Sequence, residues 1–428
     1  MHELDAETTA LIAGEVENLA GEQLEFLKRL VTFPSVLGHE LEAQRYLAET
    51  FASLDLDVDA WTIDLADIEG LPGFSPVDWS YENKLNVVGC HRVAEPQGRS
   101  LILNGHIDVV PPGAEALWTD PPFTPVVRDG RLYGRGAGDM KAGIAAFVYA
   151  FKALREAGLQ PASDLYLQSV VEEECTGNGA LACLQRGYRA DGAIIPEPFD
   201  QTLLTSQLGV MWLRVTVYGR PAHVLEATAG VDAINLAQEL IAELRGLEGE
   251  LNDMSVRPDD YRDAAHPINF NVGRLEGGDW PSSVAAACEF TVRVGFFPDT
   301  PLSEMRGRVE QRVRDFAAAH PLLKQRPPEL RYVGFQAEGC RVDPESDLLR
   351  GLGLVHTQVT GRQPACLAST ATTDARFFNL YGNVACTCYG PEARNIHGID
   401  ESVNLESLKR VTLVLARFIA AWCGVRRV

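Results

Sequence analysis

The sequence predicts an α/β fold in two parts: a three-layer domain built on a mostly parallel sheet, interrupted by an inserted α+β unit. Three observations predict it. Short apolar runs such as Leu101 to Leu103 and Ala193 to Ile195 read as strands buried on both faces, the pattern of parallel sheets. Stretches of helical period lie between or after several of these runs, which argues for helices layered on the sheet. Between Gly209 and Ala337 the rhythm changes to β-α-β-β-α-β, the split βαβ order, before the larger pattern resumes. A chain of 428 residues is long for one core. The expected division is 1–208 with 338–428 in one domain and 209–337 as the insertion.

Taken in order, Asp5 to Val31 carries Ile12, Val16, Leu19, Leu24, Leu27 and Leu30 at helical spacing and breaks at Pro34. A second amphipathic helix is expected over Glu40 to Phe51. Leu71 to Glu82, LPGFSPVDWSYE, reads as a loop; its aromatic residues either pack a surface turn or, through Trp79 or Tyr81, flank a substrate. Strands are expected at Asn86 to Cys90, Leu101 to Leu103, Leu165 to Val171, Ala193 to Ile195 and Val384 to Cys388, with helices at Lys141 to Ala157, Gly179 to Arg186 and Leu405 to Trp422. Within the insertion, strands at Val210 to Tyr218, Ile268 to Leu275, Val284 to Phe297 and Leu330 to Phe335 alternate with helices at Val231 to Leu247 and Leu302 to Ala319.

Charge narrows the partners. With 59 acidic against 38 basic residues the net charge is −21, a field that repels phosphate backbones and anionic membranes. Nucleic acid and membrane are therefore not expected as partners. No apolar run reaches the roughly 18 residues of a membrane span, and Met1 to Ala20 is acidic where a signal peptide is basic and then apolar, so the expected home is the cytoplasm. The nine cysteines show no CxxC spacing and read as small buried residues of a reducing compartment, with Cys175 inside an acidic motif.

The candidate chemistry sits where apolar strands end. His106, in LILNGHIDVVP, lies at a strand's carboxyl end, where open α/β sheets place their ligands, and is a candidate metal ligand. Asp108, two residues on along an extended chain, is expected to accept the second imidazole N–H. Gly134 to Gly143, GRGAGDMKAG, is a glycine-rich turn feeding a helix but lacks the GK[ST] of a phosphate-binding loop. Its Asp139 reads either as an N-cap or as a carboxylate bridging two metals. Glu172, Glu173 and Glu174 follow another apolar strand; adjacent like charges converge only where the strand breaks into a turn, and cations relieve their repulsion. Glu197, between Pro196 and Pro198, repeats the placement, and His397 in NIHGIDE supplies a second imidazole.

In this order, from Asn104 to Glu401, the motifs resemble the dinuclear-metal peptidases and deacylases, the family that includes acetylornithine deacetylase, succinyl-diaminopimelate desuccinylase, aminoacylase and glutamate carboxypeptidase. The resemblance implies two divalent metal ions, zinc first with manganese or cobalt as alternatives. His106, Asp139 and Glu197 would hold one, and Asp139, Glu174 and His397 the other. Glu173 would be the general base and acid, with Asp108 behind His106, and the peptide bond after Asp139 would be cis. The insertion would be a lid through which the chain forms a homodimer, and His223, in GRPAH, would reach the partner subunit's active site to stabilise the oxyanion. Arg376, in TTDAR, would bind a substrate carboxylate. The chain departs from the family's pattern in the lid: Ser283-Val284 replaces Asn-Val, Thr291 stands where Asp precedes Arg293, and Trp280 fills a position usually small. Ser283 and Trp280 are thus candidate substrate contacts.

The resemblance implies an amidohydrolase that removes the acyl group from a small anionic N-acyl amine or amino acid, closest to the acetylornithine deacetylase-like branch with its pyrimidine deformylases. The competing readings are an aminohydrolase releasing ammonia from an activated aromatic ring, a dipeptidase or carboxypeptidase, and a non-catalytic binding module. The last predicts loss of a ligand or of the base, and none is lost.

Overall fold

The structure is a computed structural model that describes residues 1–427. The chain opens with two helices, α1 (Ala6–Val31) and α2 (Leu41–Ser53), which bury the apolar face that their periodicity requires. Asp5 caps α1, its carboxylate accepting from the Thr8 amide at 2.7 Å. The main sheet then collects β1 (Asp57–Thr62), β2 (Leu85–His91), β3 (Leu101–His106), β4 (Leu165–Val170) and β5 (Ala193–Ile195), with α3 (Ala142–Glu156) and α4 (Asn178–Gln185) between them.

The chain next builds β6 (Gly209–Tyr218), α5 (Ala233–Leu251), β7 (Phe270–Gly277), β8 (Ala287–Phe296), α6 (Leu302–Ala319) and β9 (Glu329–Ala337). These strands form a separate antiparallel sheet in the order β7-β8-β6-β9. Every element expected from the β-α-β-β-α-β rhythm is present. This unit has its own core, in which Leu213, Val215 and Val217 of β6 meet Leu236, Leu240 and Leu244 of α5 and Met305, Val309 and Val313 of α6.

The chain returns through α7 (Asp347–Thr360) to the main sheet with β10 (Cys386–Cys388) and closes on α8 (Leu405–Cys423). The six strands run in the order β1-β2-β4-β3-β5-β10. Only β2 opposes its neighbours; β4, β3, β5 and β10 are parallel, as the apolar runs predict. Both faces of the sheet are covered. Val87 of β2 belongs to the large core with α1, α3 and α8, while its neighbours Val88 and Cys90 pack with Cys183 and Tyr188 on the other side. Alternation along a strand sends successive side chains to opposite faces, so this division is the three-layer architecture expressed residue by residue.

The strand order positions the site. Because β4, β3 and β5 are parallel neighbours, their carboxyl ends lie side by side, and the segments at or just beyond them carry Glu173 and Glu174, His106, and Glu197. The start of α3 closes the same edge. Its Gly143 passes so near the carbonyl of Pro196 that an added methyl group would overlap that oxygen and crowd the end of Met140. Gly143→Ala should therefore destabilise the fold by about 3 kcal/mol, the upper end for overpacking because one obstacle is backbone. Urea unfolding curves of the two proteins measure it.

Candidate metal centre

Three strand ends and two distant loops build the centre. His106 is the last residue of β3 and is almost wholly buried. Its Nε2 lies 3.2 Å from Asp139 Oδ1, 3.8 Å from Glu197 Oε1 and 3.9 Å from Glu173 Oε2. His397, more exposed, approaches from the opposite side. Its Nε2 is 3.0 Å from Glu174 Oε2 and 3.4 Å from Asp139 Oδ2. Asp139 thus turns one carboxylate oxygen to each imidazole.

Hydrogen bonds to its own backbone hold Asp139 in place. Oε1 of Glu401 accepts from the amides of Gly138 and Asp139 at 2.9 and 3.0 Å, and the other Glu401 oxygen pairs with Arg135, which also donates to the Gly398 carbonyl at 3.1 Å. The antiparallel pairing of Arg131–Tyr133 with Ser402–Asn404 brings these two segments together, so a residue near position 139 is fixed by one near 400. The Asp139-Met140 peptide bond is cis.

Asp108 does not take the role expected of it. The His106 Nδ1 lies 2.9 Å from the Asp108 backbone carbonyl, and the Asp108 carboxylate stands 3.7 Å from the ring. That carboxylate instead accepts from the amides of Glu173 and Glu174, at 3.3 and 3.0 Å. The main-chain oxygen of Asp108, rather than its side chain, is thus the group that meets the imidazole. Asp108 is therefore a staple for the acidic turn.

That turn resolves the crowding of three consecutive glutamates. Glu172 adopts a positive φ of 66°, so the chain bends sharply and both Glu173 and Glu174 face the centre. Glu172 itself points away into the protein and is fully buried. It accepts from the Trp79 indole at 2.7 Å, from Tyr81, and from Thr176 at 3.0 Å, and Lys84 Nζ stands 3.2 Å away. Lys84 is shared with Glu40 at 2.6 Å, and all three charged groups are buried. Sequence pattern marks Glu172, Trp79 and Tyr81 separately, but nothing in it says that they meet one another and Lys84.

The electrostatics follow from burying so many carboxylates together. Burial raises Glu173 and Glu197 well above the usual carboxylate range, and neighbouring carboxylates add to the rise while His106 opposes it. Burial also raises Asp139, but hydrogen bonds from His106 and His397 outweigh it and hold the group low. Burial lowers His397, yet Glu174 and Asp139 prevail and lift it to about 11. Such a cluster is one that positive charge completes. Two overlapping sets, His106 with Glu173 and Glu197 and His106 with Asp139 and Glu174, each bring ligand atoms within 4.8 Å of one another. Imidazole nitrogen with carboxylate oxygen is a donor set that fits a divalent transition metal.

Other candidate residues lie elsewhere. Arg376 is fully buried, contrary to a surface or substrate-facing position. It donates to the carbonyls of Thr373 and Thr176 at 2.9 and 2.7 Å and stacks over Phe377, with its Cζ 4.2 Å from the ring centroid. Enclosed this way, it braces the turn that carries Glu173 and does not line the cavity at the centre. The arginine that lines the cavity at the centre is Arg293, on β8. It lines both the cavity of about 340 Å³ that contains Asp139, Glu173, Glu174, Glu197 and His397, and an adjoining one. Its place after Thr291 is visible in the sequence, but not its direction. His223, Ser283 and Trp280 form a separate exposed cluster on the smaller unit. His223 and Ser283 pair as an isolated bridge, the Ser283 amide bonds the Trp280 carbonyl at 3.0 Å, and Trp280 is 67% exposed. None of the three lines the cavity at the metal centre. Cys175 is buried with its Sγ 3.8 Å from the Glu172 carbonyl and lines neither cavity.

A three-layer α/β domain with this carboxylate–imidazole cluster and a split βαβ insertion has the make-up of a metal-dependent hydrolase. The chain belongs to peptidase family M20/M25/M40, whose family profile matches residues 102–421. It is 28% identical over 436 aligned residues to the N-formyl-4-amino-5-aminomethyl-2-methylpyrimidine deformylase of Bacillus subtilis, spanning 96% of this chain and 97% of that one. It is 27% identical to the succinyl-diaminopimelate desuccinylase of Alkalilimnicola ehrlichii over 91% and 97% of the two chains. Its fold is shared by the di-peptidase Dug1p of Saccharomyces cerevisiae, with a TM-score of 0.78 at 14% identity over 98% and 99% of the chains, and by human carnosine dipeptidase 1, with 0.72 at 16% over 97% and 99%.

Removing one partner from the buried Glu40–Lys84–Glu172 set leaves uncompensated charge in a dry interior, a loss of about 3 to 5 kcal/mol. Lys84→Met should therefore destabilise the protein by that amount, measured by denaturant unfolding. It should also lower catalytic rate in the protein that remains folded, because Glu172 anchors the turn bearing Glu173.

Proposed function

We propose that this chain is a dinuclear metal-dependent N-deacylase that hydrolyses the amide of a small anionic N-acyl amine or amino acid. The observation that carries the reading is the split Asp139 carboxylate, one oxygen toward His106 and the other toward His397, with Glu173 3.9 Å from the His106 ring. His106, Asp139 and Glu197 would hold one divalent ion and Asp139, Glu174 and His397 the other, zinc first. When bound, the ions supply Lewis-acid stabilisation of charge on the carbonyl oxygen and a more acidic water.

The protein's own groups do the rest. Glu173, held by Asp108 through its backbone amide, takes the proton of the attacking water and returns it to the leaving nitrogen. Arg293, rather than Arg376, is the cation placed to receive a substrate's negative group, since it faces the cavity and its one hydrogen bond there is a long contact of 3.4 Å to the Thr370 carbonyl. The 209–337 unit acts as the lid. His223, exposed on that lid, serves the neighbouring subunit of a homodimer as oxyanion donor. No helix among the described residues is long and apolar enough to cross a membrane. All nine cysteines are free, which supports a reducing, cytoplasmic home. The two curated relatives named above support deacylation, since one removes a formyl and the other a succinyl group by name.

The reaction is tested by incubating zinc-, manganese- or cobalt-loaded protein with N-formyl, N-acetyl and N-succinyl amines and measuring carboxylate against ammonia release. Carboxylate release is expected; ammonia release from aromatic amines would replace the reading with an aminohydrolase. Glu173→Gln should keep its metal content and lose at least ~100-fold in kcat, the scale of general acid–base catalysis. Metal loss in that variant would exchange the roles of Glu173 and Glu174. Mixing inactive His223→Ala with inactive Glu173→Gln protein should restore activity, because one heterodimer site then holds both residues. No recovery after verified subunit exchange would remove His223 from the partner's site.

A further inference from the structure

Beside the metal centre lies a second cavity of about 510 Å³, and Arg293 lines both. A volume of this size accepts a substituent of drug-like dimensions. Its walls come from both halves of the molecule: Trp79 from the 71–82 loop, and Trp212 on β6 with Val333 on β9. Three arginines, Arg214, Arg274 and Arg293, face it and no carboxylate does, although the chain as a whole carries 59 acidic residues. Arg214 is already paired with Asp78 at 2.9 Å and Arg274 with Glu276 at 2.6 Å. Arg293 has no carboxylate partner among the described residues, and burial lowers its pKa, so it is the charge that a ligand would neutralise.

The two indoles are held rather than loose. Trp79 donates to the buried Glu172 carboxylate, which fixes the edge of its ring. Trp212 sits where the β6–β9 pairing shifts register between Met211 and Leu213, and packs edge to face on Phe335 with centroids 5.4 Å apart. Gly334, at a φ of 78°, lies against the same indole, and a Cβ there would overlap it. The Gly334 amide also bonds the Pro76 carbonyl at 2.8 Å, tying the strand behind Trp212 to the loop that bears Trp79. A preorganised aromatic wall of this kind selects flat, polarisable groups over saturated ones of equal size.

We propose that this cavity is a specificity subsite for a planar aromatic group carrying a negative charge, with Trp79 and Trp212 as its walls and Arg293 as the anion's partner. The proposal rests on the deacylase reading only for the statement that the scissile amide lies at the metal end; the binding itself needs no reaction. The substrate class is then an N-acyl compound whose other end is an anionic arene or heteroarene.

The test is isothermal titration of the zinc-loaded protein with 3-phenylpropionate, its saturated counterpart 3-cyclohexylpropionate, and the uncharged 3-phenylpropanamide. The phenyl acid should bind at least about fivefold more tightly than either. Trp212→Ala should abolish the aromatic preference and Trp212→Phe should keep it, while Arg293→Met should abolish the charge preference. Equal binding of the phenyl and cyclohexyl acids, or a preference that survives Trp212→Ala, would overturn the subsite. If these preferences hold but no acyl compound is hydrolysed, the reaction is wrong and the pocket stands; if acyl compounds are hydrolysed without the preferences, the reaction stands and the pocket is wrong.

Discussion

One carboxylate shared between two imidazoles organises this molecule. Asp139 must present an oxygen to His106 and another to His397, residues 33 positions before it and 258 after it. A side chain cannot hold such a position on its own rotamers when two partners pull on it. The structure fixes it from behind: Glu401 grips the Gly138 and Asp139 amides, and Arg135 grips Glu401 and the loop leading from His397. Charge-assisted hydrogen bonds of this kind are stronger and more directional than neutral ones, which suits the preorganisation that catalysis demands.

The same logic extends to the acidic turn. Glu173 and Glu174 repel each other; their backbone amides donate to the Asp108 carboxylate, which fixes the turn in place, and the third glutamate is turned away from the centre. Glu172 turns inward to Lys84, Trp79 and Tyr81, so that three adjacent like charges face two directions. Arg376 completes the brace by bonding the Thr176 carbonyl at the far end of the turn. Buried charge here serves position rather than net stability, since burying ion pairs returns little free energy on balance.

Through Trp79 the brace reaches the cleft between the two units. The 71–82 loop bonds β9 through Pro76 and Gly334, and through Ser75 and Gln336 at 3.1 Å, and Asp78 on it pairs with Arg214 of β6. A loop that reads as a surface turn is thus the seam of the molecule. Anything that fills the cavity beside Trp79 presses on a residue one hydrogen bond from the turn that carries Glu173.

Local pattern marked the α/β class with its inserted unit and most strands of the two larger sheets, but not the strand Asp57–Thr62 or the helix Asp347–Thr360; it marked His106, Glu173, Glu174 and Glu197 as candidates because all four follow apolar strands, and the family resemblance joined them with Asp139 and His397 into one ligand set. The order β4-β3-β5, which sets those strand ends side by side, was decided by tertiary structure, since strand pairing is a contact between segments far apart in the chain. Direction was decided there too. Asp108 turned its carboxylate to the amides of the next strand's turn, Arg376 went inside, and Arg293 came to face the cleft, because where a long polar side chain ends depends on which donors, acceptors and space the folded neighbours offer. Pattern names the candidate ligands; only packing says which atom of each faces the centre.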